Sequence, residues 1–238
     1  MSNSIRFALT VLIALTLGRN AEAVTIYGPS GLILNPSAYV PPANAFGFGV
    51  TTFTTKKAGA EKTWISGAAD LGLGGRAEIG ATFLQRTNSK TDSGFGGFAK
   101  YQFLKETPGT PAVSAGVDLI GGDLKTQQAY VVATKGLTTP LKFPSAALTA
   151  GVIYSWDRDG KTRDDADTMA GLAFGITPSL NLIGEWRSKT KGNIHDSSGV
   201  AVMYGGRNYS IAVGALNNGA SDDLRFFVGA GFNVSTVD

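Results

Sequence analysis

Residues 74–86, GGRAEIGATFLQR, decide how this chain is to be read. Arg76, Glu78, Thr82 and Arg86 alternate with Ala77, Ile79, Ala81 and Phe83, and a period of two makes a β-strand with one polar and one apolar face. In a soluble sandwich the apolar face is the core. In an outer-membrane barrel it meets lipid, and the charges line the interior. One strand allows both orientations; the rest of the chain chooses between them.

Residues 1–23 have the layout of an export signal. MSNSIR carries one arginine, FALTVLIALTLG is an unbroken apolar run, and Ala21-Glu22-Ala23 places small residues where a signal peptidase reads, so cleavage is expected before Val24. The apolar run is about a dozen residues, well short of the roughly 20 that a spanning helix needs. No later stretch approaches that length without a charge, Gly or Pro, which argues against a helical membrane protein. Cysteine is absent, so neither disulfides nor thiolate metal sites can hold the fold. A net charge of +3 over 238 residues is too balanced for a nucleic-acid binder. The 32 glycines disfavour helix, while abundant aromatics and only 16% charged residues disfavour disorder.

Residues 24–45 are rich in Pro and Gly without a clean period. Beyond them, alternating segments of about ten residues recur at 46–55, 62–72, 75–86, 94–104, 112–121, 127–136, 146–156, 167–176, 180–189, 198–205, 208–217 and 223–234. The expected fold is therefore all-β: an antiparallel up-and-down transmembrane β-barrel of about twelve strands over residues 46–238. The connections sort by parity. KKAGAEK, NSKTDSG, GDLKT, DRDGKTRDDA, SKTKGNIHDSS and NNGASDD are all strongly polar, whereas the alternate connections include tight turns such as Thr177-Pro178-Ser179. Long polar loops at one end and short turns at the other are the asymmetry of an outer-membrane barrel, with both termini expected in the periplasm.

Aromatic residues mark the strand ends. Phe83, Phe95, Trp156, Trp186 and Phe226 fall at the outer ends, and Phe46, Phe48, Phe103, Phe174, Tyr204, Tyr209 and Phe232 at the periplasmic ends. Two such girdles around an aliphatic band suit the two bilayer interfaces. Trp64 departs from the pattern, sharing the parity of Asp70.

The segment SGLILNPSAYVPPANAFGFGV resembles the opening of bacterial outer-membrane β-barrel proteins associated with exopolysaccharide production and export. LGLGGRAEIGATF and KYQFLKETPGTPAVSAGVDLIGG are similar to later hairpins of those proteins, so the resemblance covers roughly residues 28–122. It implies a barrel fold and an outer-membrane location, with a role as an export-associated envelope component.

If the apolar faces meet lipid, the lumen is lined by Asp70, Arg76, Glu78, Arg86, Lys100, Gln102, Asp118, Asn181, Glu185, Arg187, Arg225 and Asn233. Mixed signs argue against a strongly selective eyelet. A turn centred on Leu73 would set Asp70 opposite Arg76, and Lys100 would fall near Asp118. Glycines at 80, 116, 151, 171, 175, 214, 229 and 231 line the same faces, leaving room for water or for residues 24–45. That segment is expected either to pack inside the barrel or to hang from its mouth. His195 and Ser197 have the spacing of a lipid-hydrolase pair, but their parity points away from lipid. DRDGKTRDD lacks the later carboxylates of a calcium loop. No catalytic residue, metal or cofactor is expected.

The functional expectation is a passive outer-membrane channel or export component that admits small solutes or saccharides. Its partners would be outer-membrane lipids and the barrel-assembly machinery. The alternatives are a non-conducting barrel plugged by its N-terminal segment and, more remotely, a lipid-modifying enzyme.

Overall fold

The computed structural model describes residues 25, 28–57, 60–87, 92–123, 126–137, 145–156, 165–188, 196–206, 208–218 and 224–235. Twelve strands follow one another: β1 (Ala45–Lys57), β2 (Ala60–Leu73), β3 (Ala77–Arg86), β4 (Ser93–Leu104), β5 (Ala112–Gly122), β6 (Thr126–Leu137), β7 (Ser145–Trp156), β8 (Asp165–Thr177), β9 (Leu180–Arg187), β10 (Ser197–Gly205), β11 (Tyr209–Asn218) and β12 (Arg225–Ser235). Each pairs antiparallel with its neighbours in sequence, and β12 returns to β1 from Ala45↔Ser235 to Phe53↔Phe227, closing the barrel. Closure removes the unpaired strand edges that an open sheet would present. Every strand boundary lies within about two residues of the period-two reading.

The alternation gives the wall its two faces. In β3, Ile79 and Phe83 point outward and are exposed, whereas Glu78 and Thr82 are buried inside. Val50, Val131, Val152, Val202 and Ile211 continue the exposed apolar exterior on other strands, the reverse of a soluble β-sandwich.

The hairpin between β2 and β3 corrects one expectation. Leu73 pairs with Ala77, so the turn comprises residues 74–76 rather than centring on Leu73. Gly74 and Gly75 both adopt positive φ, at 58° and 63°, a backbone that glycine accepts without steric cost. The register consequently sets Asp70 opposite Gly80 and carries Arg76 out of the strand onto the exposed turn. Arg76 therefore does not line the lumen, and the expected Asp70–Arg76 pair does not form.

The interior is filled. One apolar cluster joins Phe53, Leu84, Ile183, Met203, Leu216 and Phe227 from the wall with Leu32, Ile33 and Leu34 of the N-terminal segment. A second joins Ala38 with Ala112, Tyr130, Val132, Ile153 and Met169. The inward glycines serve this packing: a Cβ at Gly80 would overlap Phe98, at Gly116 Tyr130, at Gly171 Leu32 and at Gly214 Phe227. Beside Thr25 an interior cavity of about 40 Å³ remains, bordered by Thr51, Ser66, Met203 and Ala212.

Candidate functional site

Residues 28–45 thread this interior, and the polar contacts along their path make up the site. The segment begins tightly folded, with Leu32 N–H donating to the Asn35 carbonyl (2.9 Å) and Ser37 N–H to the Ser30 carbonyl (3.2 Å). That turn aims consecutive amides at one wall residue. Glu185 of β9 accepts from Leu34 N at 2.7 Å, and from Ile33 N, Asn35 N and Asn35 Nδ2 at 3.2 Å each. A buried carboxylate needs such donors, because its desolvation is costly unless hydrogen bonds within the protein replace those to water.

The second anchor is an ion pair. Glu78 of β3 and Lys100 of β4 sit directly opposite each other in the ladder, with Nζ 2.8 Å from Oε2 and both side chains fully buried. Ser30 joins them: its amide and hydroxyl donate to Glu78 at 2.8 and 2.7 Å, and Lys100 donates to the Ser30 carbonyl at 2.9 Å. Further along, the Ala38 carbonyl accepts from Gln102 Nε2 (2.8 Å) and Ser114 Oγ (2.5 Å). The Ala38 amide donates to Thr134 Oγ1 at 2.8 Å.

The segment leaves the barrel at the end where β1 starts. Tyr39 donates its hydroxyl to Glu106 at 2.6 Å, in the turn after β4, and Glu106 also accepts from Gly136 N and pairs with Lys135 at 3.2 Å. Partial burial raises the Glu106 pKa, but the hydrogen bonds from Tyr39, Lys135 and Gly136 outweigh it and hold the carboxyl below its ordinary range. Asn44 then turns the chain into β1 at φ 60°, donating to the Gly72 carbonyl at 2.9 Å.

The other charged residues proposed for the lumen have different partners from those expected. Lys100 pairs with Glu78 and not with Asp118, since the register sets Asp118 opposite Phe98 and Gln128. Asp118 accepts from Gln128 Nε2 at 2.5 Å. Arg187 forks onto Asp167, with Nε at 2.9 Å and Nη2 at 2.6 Å, and reaches Ser155 at 3.2 Å. Arg86 pairs with Asp92 at the loop end of the barrel. Asp70 is buried and Arg225 half-buried.

Sequence reasoning missed Asp167, Thr134, Ser114, Tyr39 and Glu106. Asp167 was within reach, because it shares the parity of Met169 and Gly171 on β8.

The aromatic residues proposed as girdles lie on outward positions. Phe95 and Phe226 are the most exposed, at 69% and 79%, and Phe46, Phe48, Phe83, Phe103, Trp186, Tyr204, Tyr209 and Phe232 are also exposed. Trp156 and Phe174 are half-buried; Trp156 stacks on Tyr154 with ring centroids 6.0 Å apart. Trp186 Nε1 donates to Asp196 at 2.9 Å. Ser197 is buried on the inward side of β10, while His195 and residues 157–164 lie outside the described residues. No group of three or more potential metal ligands occurs among the described residues.

No family model matches the chain, and no curated protein matches it in sequence. Solved structures do resemble it. The KdgM porin superposes with a TM-score of 0.60 at 12% identity, covering 79% of this chain and 99% of the porin. The same porin in complex with disordered oligogalacturonate gives 0.56 at 12% identity, over 80% and 99% of the two chains. The COG4313 outer membrane channel from Pseudomonas putida F1 gives 0.50 at 11% identity, over 84% and 100%. The chain thus has the fold of outer-membrane β-barrel channels.

Proposed function

We propose that this protein is an outer-membrane channel whose lumen is closed by its own N-terminal segment, so that it is non-conducting at rest. The observation that carries the reading is the course of residues 28–45 through the barrel, bonded to Glu78, Lys100, Gln102, Ser114, Thr134 and Glu185 on several different strands. Barrels of eight strands are filled by wall side chains alone and those of sixteen or more leave an aqueous bore. Twelve strands leave an intermediate space, and here the segment occupies it. The exposed apolar exterior with aromatic residues toward its margins supports a membrane location. In this reading the termini and the short turns face the periplasm, the signal peptide ends at Ala23, and the plug is the start of the mature chain.

A saccharide is the cargo class that the N-terminal resemblance favours, and the KdgM porin has been solved with an oligogalacturonate. Hydrogen bonds and side-chain packing hold the plug among the described residues, so it can withdraw without breaking the wall.

Planar-bilayer recording tests this. The native chain is expected to be nearly silent, and Ile33→Asn/Leu34→Asn, which removes the plug's apolar grip without adding charge, is expected to open long-lived conducting states. Equal steady conductance in both chains would show that the segment does not close the pore. Silence in both would leave a structural barrel, the second reading, which the packed interior favours.

A further inference from the structure

We infer that the lumen exposed when residues 28–45 withdraw admits cations and neutral saccharides and rejects polyanions. The inference rests on the plugged-channel reading and concerns what that channel passes.

Most lumenal charges cancel within the wall. Glu78 pairs with Lys100 and Asp167 with Arg187, and neither pair needs the plug. At the loop end Arg86 is paired with Asp92. Two carboxylates are treated differently. Glu185 has four donors at hydrogen-bond distance, all neutral and all belonging to Ile33, Leu34 and Asn35 of the plug. Asp118 has one neutral wall donor, Gln128, and its Oδ1 is buried with no hydrogen-bond partner. Neither makes an ion pair among the described residues.

These two lie on β5 and β9, separated by three strands on one side of the ring. When the plug leaves, its backbone amides leave with it, and the fixed cations of the wall stay with the carboxylates they already serve. Asp118 and Glu185 then face water as unmatched negative charges. Asp70 and Arg225, each with partners of its own, are opposite in sign and add no net charge. A unit charge about 8 Å away across water changes the local concentration of a monovalent ion by about twofold at low salt. The effect compounds for a polyuronate, which brings a negative charge on every sugar, and vanishes for a neutral oligosaccharide. The same hydrogen-bonding wall residues (Gln102, Ser114 and Thr134) that hold the plug's backbone at Ala38 offer donors and acceptors suited to sugar hydroxyls.

The test uses Ile33→Asn/Leu34→Asn as the open channel, with heat-modifiable gel migration as the check that the barrel has formed. If that chain does not form a barrel, one lacking residues 28–40 takes its place. Reversal potentials in a KCl gradient should give potassium permeability above chloride, and adding Asp118→Asn with Glu185→Gln should bring the ratio toward one. In liposome swelling, maltotriose should enter faster than trigalacturonate. Chloride preference, a ratio unmoved by the added pair, or faster entry of trigalacturonate would overturn the selectivity and leave the plugged channel standing. An open-channel variant that folds yet stays silent would overturn both.

Discussion

Glu185 is the place to perturb the plug with least damage to the wall. Its Oε2 collects Ile33 N, Asn35 N and Asn35 Nδ2, and its Oε1 takes Leu34 N in the shortest bond of the set, 2.7 Å. In Glu185→Gln the amide oxygen can serve only one side. Placed at Oε2, it keeps three donors and turns an NH2 group toward Leu34 N–H, leaving that buried donor orphaned. Such a donor costs about 1–3 kcal/mol. Taking about 2 kcal/mol, and about 1.4 kcal/mol for each factor of ten, the released population should rise about thirtyfold. Hydrogen exchange read at the amides of Ile33, Leu34 and Asn35 measures that population directly. The expected result is acceleration by about thirtyfold confined to the plug, with β1–β12 ladder amides unchanged. Unchanged exchange at Leu34 would refute the latch, and equal acceleration throughout the wall would show that Glu185 stabilises the barrel as a whole.

Acid should loosen the mouth of the barrel. Glu106 is held below its ordinary range by Tyr39, Lys135 and Gly136, so its stabilising contribution is complete above the unfolded carboxylate pKa and is lost as pH falls through the depressed folded value. Exchange at the amides around Tyr39 should therefore rise in that acid window, and Glu106→Gln should abolish the pH dependence. Lys100→Met leaves Glu78 charged and buried without its cation, a loss of about 3–5 kcal/mol in urea unfolding from detergent. Adding Glu78→Gln should recover part of that loss, and a further drop in stability would contradict the pairing. Val131 is 53% exposed on the outer face of β6, and Val131→Arg should cost about 2–4 kcal/mol if that position sits near the bilayer midplane. A neutral result in lipid vesicles would place β6 outside the hydrocarbon.

The wall was readable from sequence because a barrel strand writes its two faces at the shortest possible period. GGRAEIGATFLQR needed only its alternation to assign Ile79 and Phe83 to one face and Glu78 and Thr82 to the other. Partners were less readable. Moving a turn's centre moves each facing partner by twice as much, so a turn centred on Gly75 in place of Leu73 sets Asp70 opposite Gly80 and not Arg76. Lys100 was matched to the wrong carboxylate because Asp118 lies across a different hairpin from the strand that supplies Glu78. The cradle on Glu185 left no local trace, since three of its four donors are backbone amides and all lie about 150 residues earlier in the chain. Inward glycines read as vacancies; they are sockets for Phe98, Tyr130, Phe227 and Leu32.

The long sequence separation of that cradle bears on the order of assembly. Leu34 and Glu185 are 151 residues apart, so the bond cannot form until β9 has joined the growing sheet. Contacts this distant come late, after the loop entropy between them has been overcome. The segment also runs straight into β1, the strand that makes the final seam with β12. A sheet that has not reached β9 therefore offers residues 33–35 no resting place, and their seating on Glu185 reports that the ninth strand is in place. The latch then doubles as a proofreading step: a barrel that stalls before its ninth strand leaves residues 33–35 loose and protease-sensitive, and one that passes it buries them.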